Sequence, residues 1–190
     1  MNINFNRFFW GFIILLLDVR IVFIDVFPDP VGYYLIYSGI RGVLTEGCPA
    51  KKVKILAMAL TTLSIPIVFY QQDIGLNEMS QIQGISPWFI YTITIEILHL
   101  TLMFFIFKLI VKVAISFCDE ALIKRSTGTF TVYISFMLIF TFANTFLINL
   151  PSDLTLGILL FTLPVRIVLE IVFLVLLRKL HTYKGPHAIL

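Results

Sequence analysis

Charge is what this chain lacks most. Asp, Glu, Lys and Arg together make up 13% of its 190 residues, against roughly 25% in an ordinary soluble domain. That leaves too little charge to cover a water-facing surface, which excludes a soluble globular fold. Cysteine is scarce as well: Cys48 and Cys118 are the only two, with no metal-ligand spacing between them or to a histidine. A disulfide scaffold and a zinc site are both excluded on that count. Internal repeats and low-complexity stretches are absent, so solenoid and linker architectures have no support. No His-Glu-x-x-His, P-loop or Gly-x-Ser-x-Gly sequence occurs. Tyr37-Ser38-Gly39 lacks the preceding glycine of an intramembrane serine protease motif.

What is present is apolar sequence. Hydrophobic residues are 59% of the chain and its mean hydropathy is +0.98, a composition that only a bilayer can accommodate at this length. Residues 1–190 form one domain, with no room for a separate soluble module. The class expected is an all-α, polytopic membrane helix bundle with six transmembrane helices, over residues 8–24, 31–44, 53–70, 87–110, 130–150 and 154–177. The second is short, about 21 Å of helix against a hydrocarbon core of roughly 30 Å. It must thin the bilayer, use snorkelling side chains, or be re-entrant. The first run passes into Phe27-Pro28-Asp29-Pro30 without a small-residue cleavage site, so the first helix is expected to be retained. Asp29-Pro30, Ser86-Pro87 and Pro151-Ser152-Asp153 supply start signals for three of the helices. Trp88, Tyr33, Tyr34, Tyr37, Tyr70 and Tyr91 fall near helix ends, as an interfacial aromatic belt would.

The few charges are sorted by side. Arg7, Arg41, Lys51, Lys52, Lys54, Lys108, Lys112, Lys124, Arg125, Arg178, Lys179 and Lys184 flank one set of helix ends. The other set has Asp25, Asp29, Asp73, Glu78 and Asp153, and no Lys or Arg. By the positive-inside rule both termini are cytoplasmic, in a multi-pass cell (plasma) membrane protein. Cys48 and Cys118 are then on the cytoplasmic side as reduced thiols. A positive balance dispersed over short loops reads as topology, so no nucleic acid is expected as a partner.

Six ionisable residues remain inside apolar runs: Asp18, Arg20, Glu96, His99, Arg166 and Glu170. A charge at the centre of a membrane helix costs roughly 2.5–3.5 kcal/mol on insertion scales, so such residues turn to protein or to a water-filled cavity. Glu96 and His99 are three apart and Arg166 and Glu170 four apart, so each pair shares a helix face. Asp18 and Arg20 are two apart and point to different sides. Partners across helices are expected: Asp18 with Arg166, and Arg20 with Glu96 or Glu170, all near the midplane of the first, fourth and sixth spans. Such pairs fix helix register in one reading and line a polar cavity or pathway in the other. Pro66 and Pro164 should kink their helices, freeing the carbonyls of Thr62 and Leu160. Asn144 adds a polar group to the fifth span, as helix glue. Ser38, Gly39 and Gly42 suggest close packing of the second helix.

Ile24-Asp25-Val26-Phe27-Pro28-Asp29-Pro30-Val31-Gly32-Tyr33-Tyr34-Leu35-Ile36 resembles the N-terminal signature of uncharacterised small bacterial multipass membrane proteins, approximately I-D-x-x-P-D-x-x-G-Y-x-L. The match covers about 15 of the residues and carries no activity with it. It implies an outer turn bracketed by Asp25 and Asp29, with Gly32 allowing close packing as the chain re-enters. That turn could bind a cation; a capping role accounts for Asp29 as well.

These residues point first to a small transport-type protein, or a membrane subunit of a transporter, with a binding site formed by the six-residue polar cluster. Arg166 would hold an anionic group, and His99, with an ordinary pKa near 6.5, would join in proton coupling. The alternative is a non-catalytic membrane partner with a regulatory or assembly role, bound to another membrane protein or to its own copies. A weaker one is an intramembrane enzyme acting on lipid, with Glu96 and His99 as acid and base. Glu96-x-x-His99 is half of a di-metal carboxylate pattern whose second half is missing, so no metal and no cofactor are expected. His181 and His187 sit in the tail and are read as incidental.

Overall fold

The structure, a computed structural model, describes residues 4–17, 20–21, 24–25, 28–40, 49–69, 87–146 and 150–182. Apart from one two-residue strand pairing it is all helix. The elements are α1 (Phe5–Leu16), β1 (Arg20–Ile21), β2 (Ile24–Asp25), α2 (Asp29–Gly39), α3 (Pro49–Leu63), α4 (Ile65–Phe69), α5 (Pro87–Ser116), α6 (Glu120–Phe146) and α7 (Ser152–Thr182).

Local chemistry explains most of the boundaries. Asn4 caps α1, its side chain accepting from the backbone N–H of Arg7 at 3.3 Å. The helix stops at Leu16 rather than running to Ile24. From Val19 to Val26 the sequence is dominated by β-branched residues, which favour extended backbone. There β1 and β2 pair antiparallel, Arg20 opposite Asp25 and Ile21 opposite Ile24. Asp29 is not the cap of α2: Pro28 holds that position without a side-chain hydrogen bond. Asp29 lies in the first turn, where a carboxylate suits the positive end of the helix dipole. The second helix ends at Gly39, and residues 41–44 of its expected run lie outside the described residues.

Pro66 acts as expected. Lacking an N–H, it breaks the third run into α3 and α4 at Ser64, whose hydroxyl donates to the Leu60 carbonyl at 2.6 Å. Pro164 by contrast lies inside α7, which stays one assigned helix of 31 residues. The fourth and fifth runs are longer than expected, 30 and 27 residues, because α5 and α6 continue into the turn between them. Cys118 adopts a left-handed φ of 54° in that turn. Asp119 then caps α6 through the N–H of Leu122 at 3.0 Å.

α4 aside, the helices pack in chain order, α1 on α2, α2 on α3, α3 on α5 and α5 on α6. The last, α7, packs extensively on α1 and more sparsely on α6, which closes a ring. Helices adjacent in this ring run antiparallel. The Asn4 N–H donates to the Gly39 carbonyl at 2.9 Å, joining the start of α1 to the end of α2. Lys54 at the start of α3 lies over Tyr37 at the end of α2, and Arg178 near the end of α7 lies over Phe9 near the start of α1. Together with the α5–α6 turn, these contacts gather Arg7, Lys52, Lys54, Lys112, Lys124 and Arg178 at one end of the bundle.

Aromatic rings fill the centre. Phe173 of α7 meets Phe12 of α1 at 4.8 Å between centroids, Phe107 of α5 at 5.0 Å and Tyr133 of α6 at 5.9 Å. All four are essentially inaccessible. The tightest backbone approach is between α1 and α2, as the small residues suggested. A Cβ on Gly11 would stand 2.8 Å from the Gly32 carbonyl oxygen, and one on Gly32 2.9 Å from that of Gly11. Gly32→Val should therefore force the two helices apart and lower stability by about 1–3 kcal/mol, the usual cost of overpacking. The thermal midpoint in detergent checks this; a midpoint equal to that of the parent protein would refute the close contact.

Among the described residues, three helical stretches are long and apolar enough to cross a membrane: Ile90–Ser116, Glu120–Asn144 and Leu160–Thr182. The short helix α1 is apolar as well.

Candidate functional site

Four of the six ionisable residues singled out in the sequence are described with their side chains, and all four face other helices. Glu96 of α5 meets Arg166 of α7, with Oε1 3.6 Å from Nη1. Asn144 of α6 donates from Nδ2 to the same carboxylate oxygen at 3.5 Å. One acid thus gathers a cation and an amide from two further helices. His99 reaches the other way, its Nδ1 lying 2.9 Å from the Tyr33 hydroxyl of α2. Glu170 accepts a 2.5 Å hydrogen bond from the Tyr133 hydroxyl of α6. His99 and Glu170 are each 8% exposed, so these two bonds lie in the core.

The arrangement follows from helix periodicity. Glu96 and His99 are near one another on α5 yet split between partners, one toward α6 and α7 and the other toward α2. Arg166 and Glu170 divide likewise between α5 and α6. Two successive turns of one helix therefore tie down different neighbours, and α2, α5, α6 and α7 converge on a single polar layer.

Several expectations about this cluster are corrected. Arg166 pairs with Glu96 across helices; the expected Asp18–Arg166 pair cannot be placed, because Asp18 lies outside the described residues. Arg20 lies in strand β1, not on a helix face, because the β-branched stretch has left the helix before it. The side chains of Arg20 and Asp25 lie outside the description. Tyr33 is 4% exposed and bonded to His99, so it belongs to the core and not to an interfacial belt. Tyr34, at 50% exposed, does face outward.

The helices run further than the stretches read from sequence, α5 to Ser116 and α7 to Thr182. Arg166 stands near the middle of α7 (Ser152–Thr182), and Glu96 lies nearer the start of α5 (Pro87–Ser116) than its end. Glu170 lies one turn further along α7, toward the basic end.

Tyr33 and Tyr133 are the participants that sequence reasoning missed. A phenol in an apolar run needs a partner for its hydroxyl once buried, which is a usable signal for Tyr133 in the run 130–150. The position of Tyr33 beside a Pro-containing turn masked the same signal. Exposure separates the parts of the layer. The Tyr33–His99 and Tyr133–Glu170 pairs are closed off, whereas Glu96 is 20% and Arg166 47% exposed. Chemically, the closed pairs hold helices in register and can carry a proton, and the open pair can meet a ligand.

Long apolar helices around a buried polar layer fit a membrane protein built as a helix bundle. Comparison with protein-family models, with characterised proteins and with solved structures finds no match.

Proposed function

We propose that the chain is a small transport-type membrane protein, or the membrane subunit of a transporter, that crosses the cell membrane six times with both termini in the cytoplasm. α1, α2 and the broken α3–α4 would supply the three shorter crossings, and α5, α6 and α7 the longer ones. The observation that supports the function best is the Glu96–Arg166 pair, an ion pair between α5 and α7 that is still partly open. A pair serving register alone needs no such opening. One left open inside an apolar span keeps a cation and an acid available to a polar solute. His99 and Glu170, held by tyrosines behind it, would carry a proton between the two sides of the layer.

Arg166→Ala should abolish uptake or proton flux in proteoliposomes while the protein still elutes as a folded species. A charge-exchanged pair, Glu96→Arg with Arg166→Glu, should not restore flux. Full activity in the exchanged protein would reduce the pair to a register device and defeat the transport reading.

The threading has its own expected result. Cys118 is exposed in the α5–α6 turn at the basic end. It should resist a membrane-impermeant thiol reagent in intact cells and react after permeabilisation. Labelling in intact cells would invert the orientation.

A further inference from the structure

Arg166 stands out on an apolar surface. It is 47% exposed, and its neighbours Leu163, Ile167 and Val168 on α7 are exposed apolar side chains at 60%, 40% and 57%. A guanidinium carries five N–H donors, and the one contact made here is that of Nη1 with Glu96 at 3.6 Å, a loose distance for a charged pair. The rest of the donor set has no partner among the described residues. On the other side of Glu96, the Asn144 side chain oxygen is buried with no hydrogen-bond partner among the described residues. Its amide nitrogen is already turned to Glu96. Asn144 and Arg166 belong to α6 and α7, the sparsest-packed neighbours of the ring. A partly free cation, a carboxylate and an unpaired acceptor thus meet where the ring is least tightly closed and its outside is apolar.

We infer that this seam takes in, from the side, the headgroup of a phospholipid that carries both a phosphate and a hydrogen-bond donor, as phosphatidylethanolamine does. The phosphate accepts from the open fork of Arg166, a geometry suited to bidentate binding. The ammonium donates to Glu96 and to the Asn144 oxygen. A purely anionic head would meet Glu96 as a like charge, and a head without a donor would leave the Asn144 oxygen unsatisfied. The acyl chains stay against the apolar flank of α7. Arg166 stands near the middle of α7, so a headgroup held there has been drawn well into the bundle, as a translocated lipid must be. The inference rests on the transport reading, and names the substrate class for it.

The test is lipid retention by the full-length protein, purified from a mixture of phosphatidylethanolamine and phosphatidylcholine and read by native mass spectrometry. The two lipids share the phosphate and differ in the donor. Phosphatidylethanolamine should be retained over phosphatidylcholine by about tenfold, the scale of one charge-assisted hydrogen bond. Arg166→Ala should erase the retention. Leu163→Trp, one turn from Arg166 on the same face, should do the same by blocking entry while leaving the ion pair intact, so the test does not depend on a variant that unsettles folding. Val175→Trp, also exposed on α7 at 51%, should leave retention unchanged.

Equal retention of the two lipids overturns the inference, as does retention that survives both Arg166→Ala and Leu163→Trp. A dimer that dissociates on Arg166→Ala, with no lipid bound, overturns it in favour of a second copy of the chain at the seam. Translocation of a fluorescent phosphatidylethanolamine in proteoliposomes separates the two claims. Retention that depends on Arg166 without flux of any kind keeps the headgroup site and removes the transport reading. Flux of a water-soluble solute that depends on Arg166, without lipid preference, does the reverse.

Discussion

Phe173→Ala should cost the bundle about 3–5 kcal/mol, the usual scale for removing a fully buried aromatic side chain. Its ring is 0% exposed and touches Phe12, Phe107 and Tyr133, which belong to three different helices. Between membrane helices the hydrophobic drive is weak, and close packing does much of the holding. A cavity at the point where α1, α5, α6 and α7 meet therefore has no compensation from lipid. The loss should extend to the polar layer, because Phe173 is one of the rings that hold Tyr133 against Glu170. Chemical denaturation in mixed micelles measures the effect, with Phe161→Ala as the control. Phe161 is 69% exposed on the same helix and should change stability by less than about 0.5 kcal/mol. Equal losses at the two positions would mean that the ring of helices is not closed around this core.

Arg166→Leu should destabilise the protein more than the double replacement Glu96→Leu with Arg166→Leu. The single change strands a carboxylate that is 20% exposed and surrounded by apolar helix. Breaking one side of a buried pair costs about 3–5 kcal/mol, whereas replacing both members by apolar residues is often close to neutral. The openness of Arg166 puts the single change at the lower end, about 3 kcal/mol. The double variant should return most of that stability and none of the flux. That combination separates the energetic role of the pair from its role at the site, and simple additivity of the two single changes would show that they do not interact.

The class and the main chain breaks were legible in the sequence because they depend on local quantities. Apolar run length marks α5, α6 and α7 whatever they pack against. Pro66 removes an N–H wherever it stands, and the helix breaks beside it. Gly32 and Gly39 were recognisable as contact points, and both lie against α1. The end of α1 was misread because hydropathy does not separate a helix from an extended segment. The β-branched residues from Val19 to Val26 were the signal, and they place Arg20 in a strand. Tyr33 was misread for a related reason. A tyrosine near a helix end suits an interface and a core equally well until the neighbouring helix is known.

The sequence by itself determined that the chain is an apolar helix bundle, that its basic residues gather at one end, and that Glu96, His99, Arg166 and Glu170 need polar company inside it. Each of these follows from side-chain chemistry and helical periodicity, which need no knowledge of neighbours. Only the tertiary structure decided the company: Arg166 with Glu96, His99 with Tyr33, Glu170 with Tyr133. The physical reason is that several pairings satisfy the same charges. Which one forms depends on how α7 returns to α1 and how loosely it meets α6, and ring closure of that kind is a property of packing.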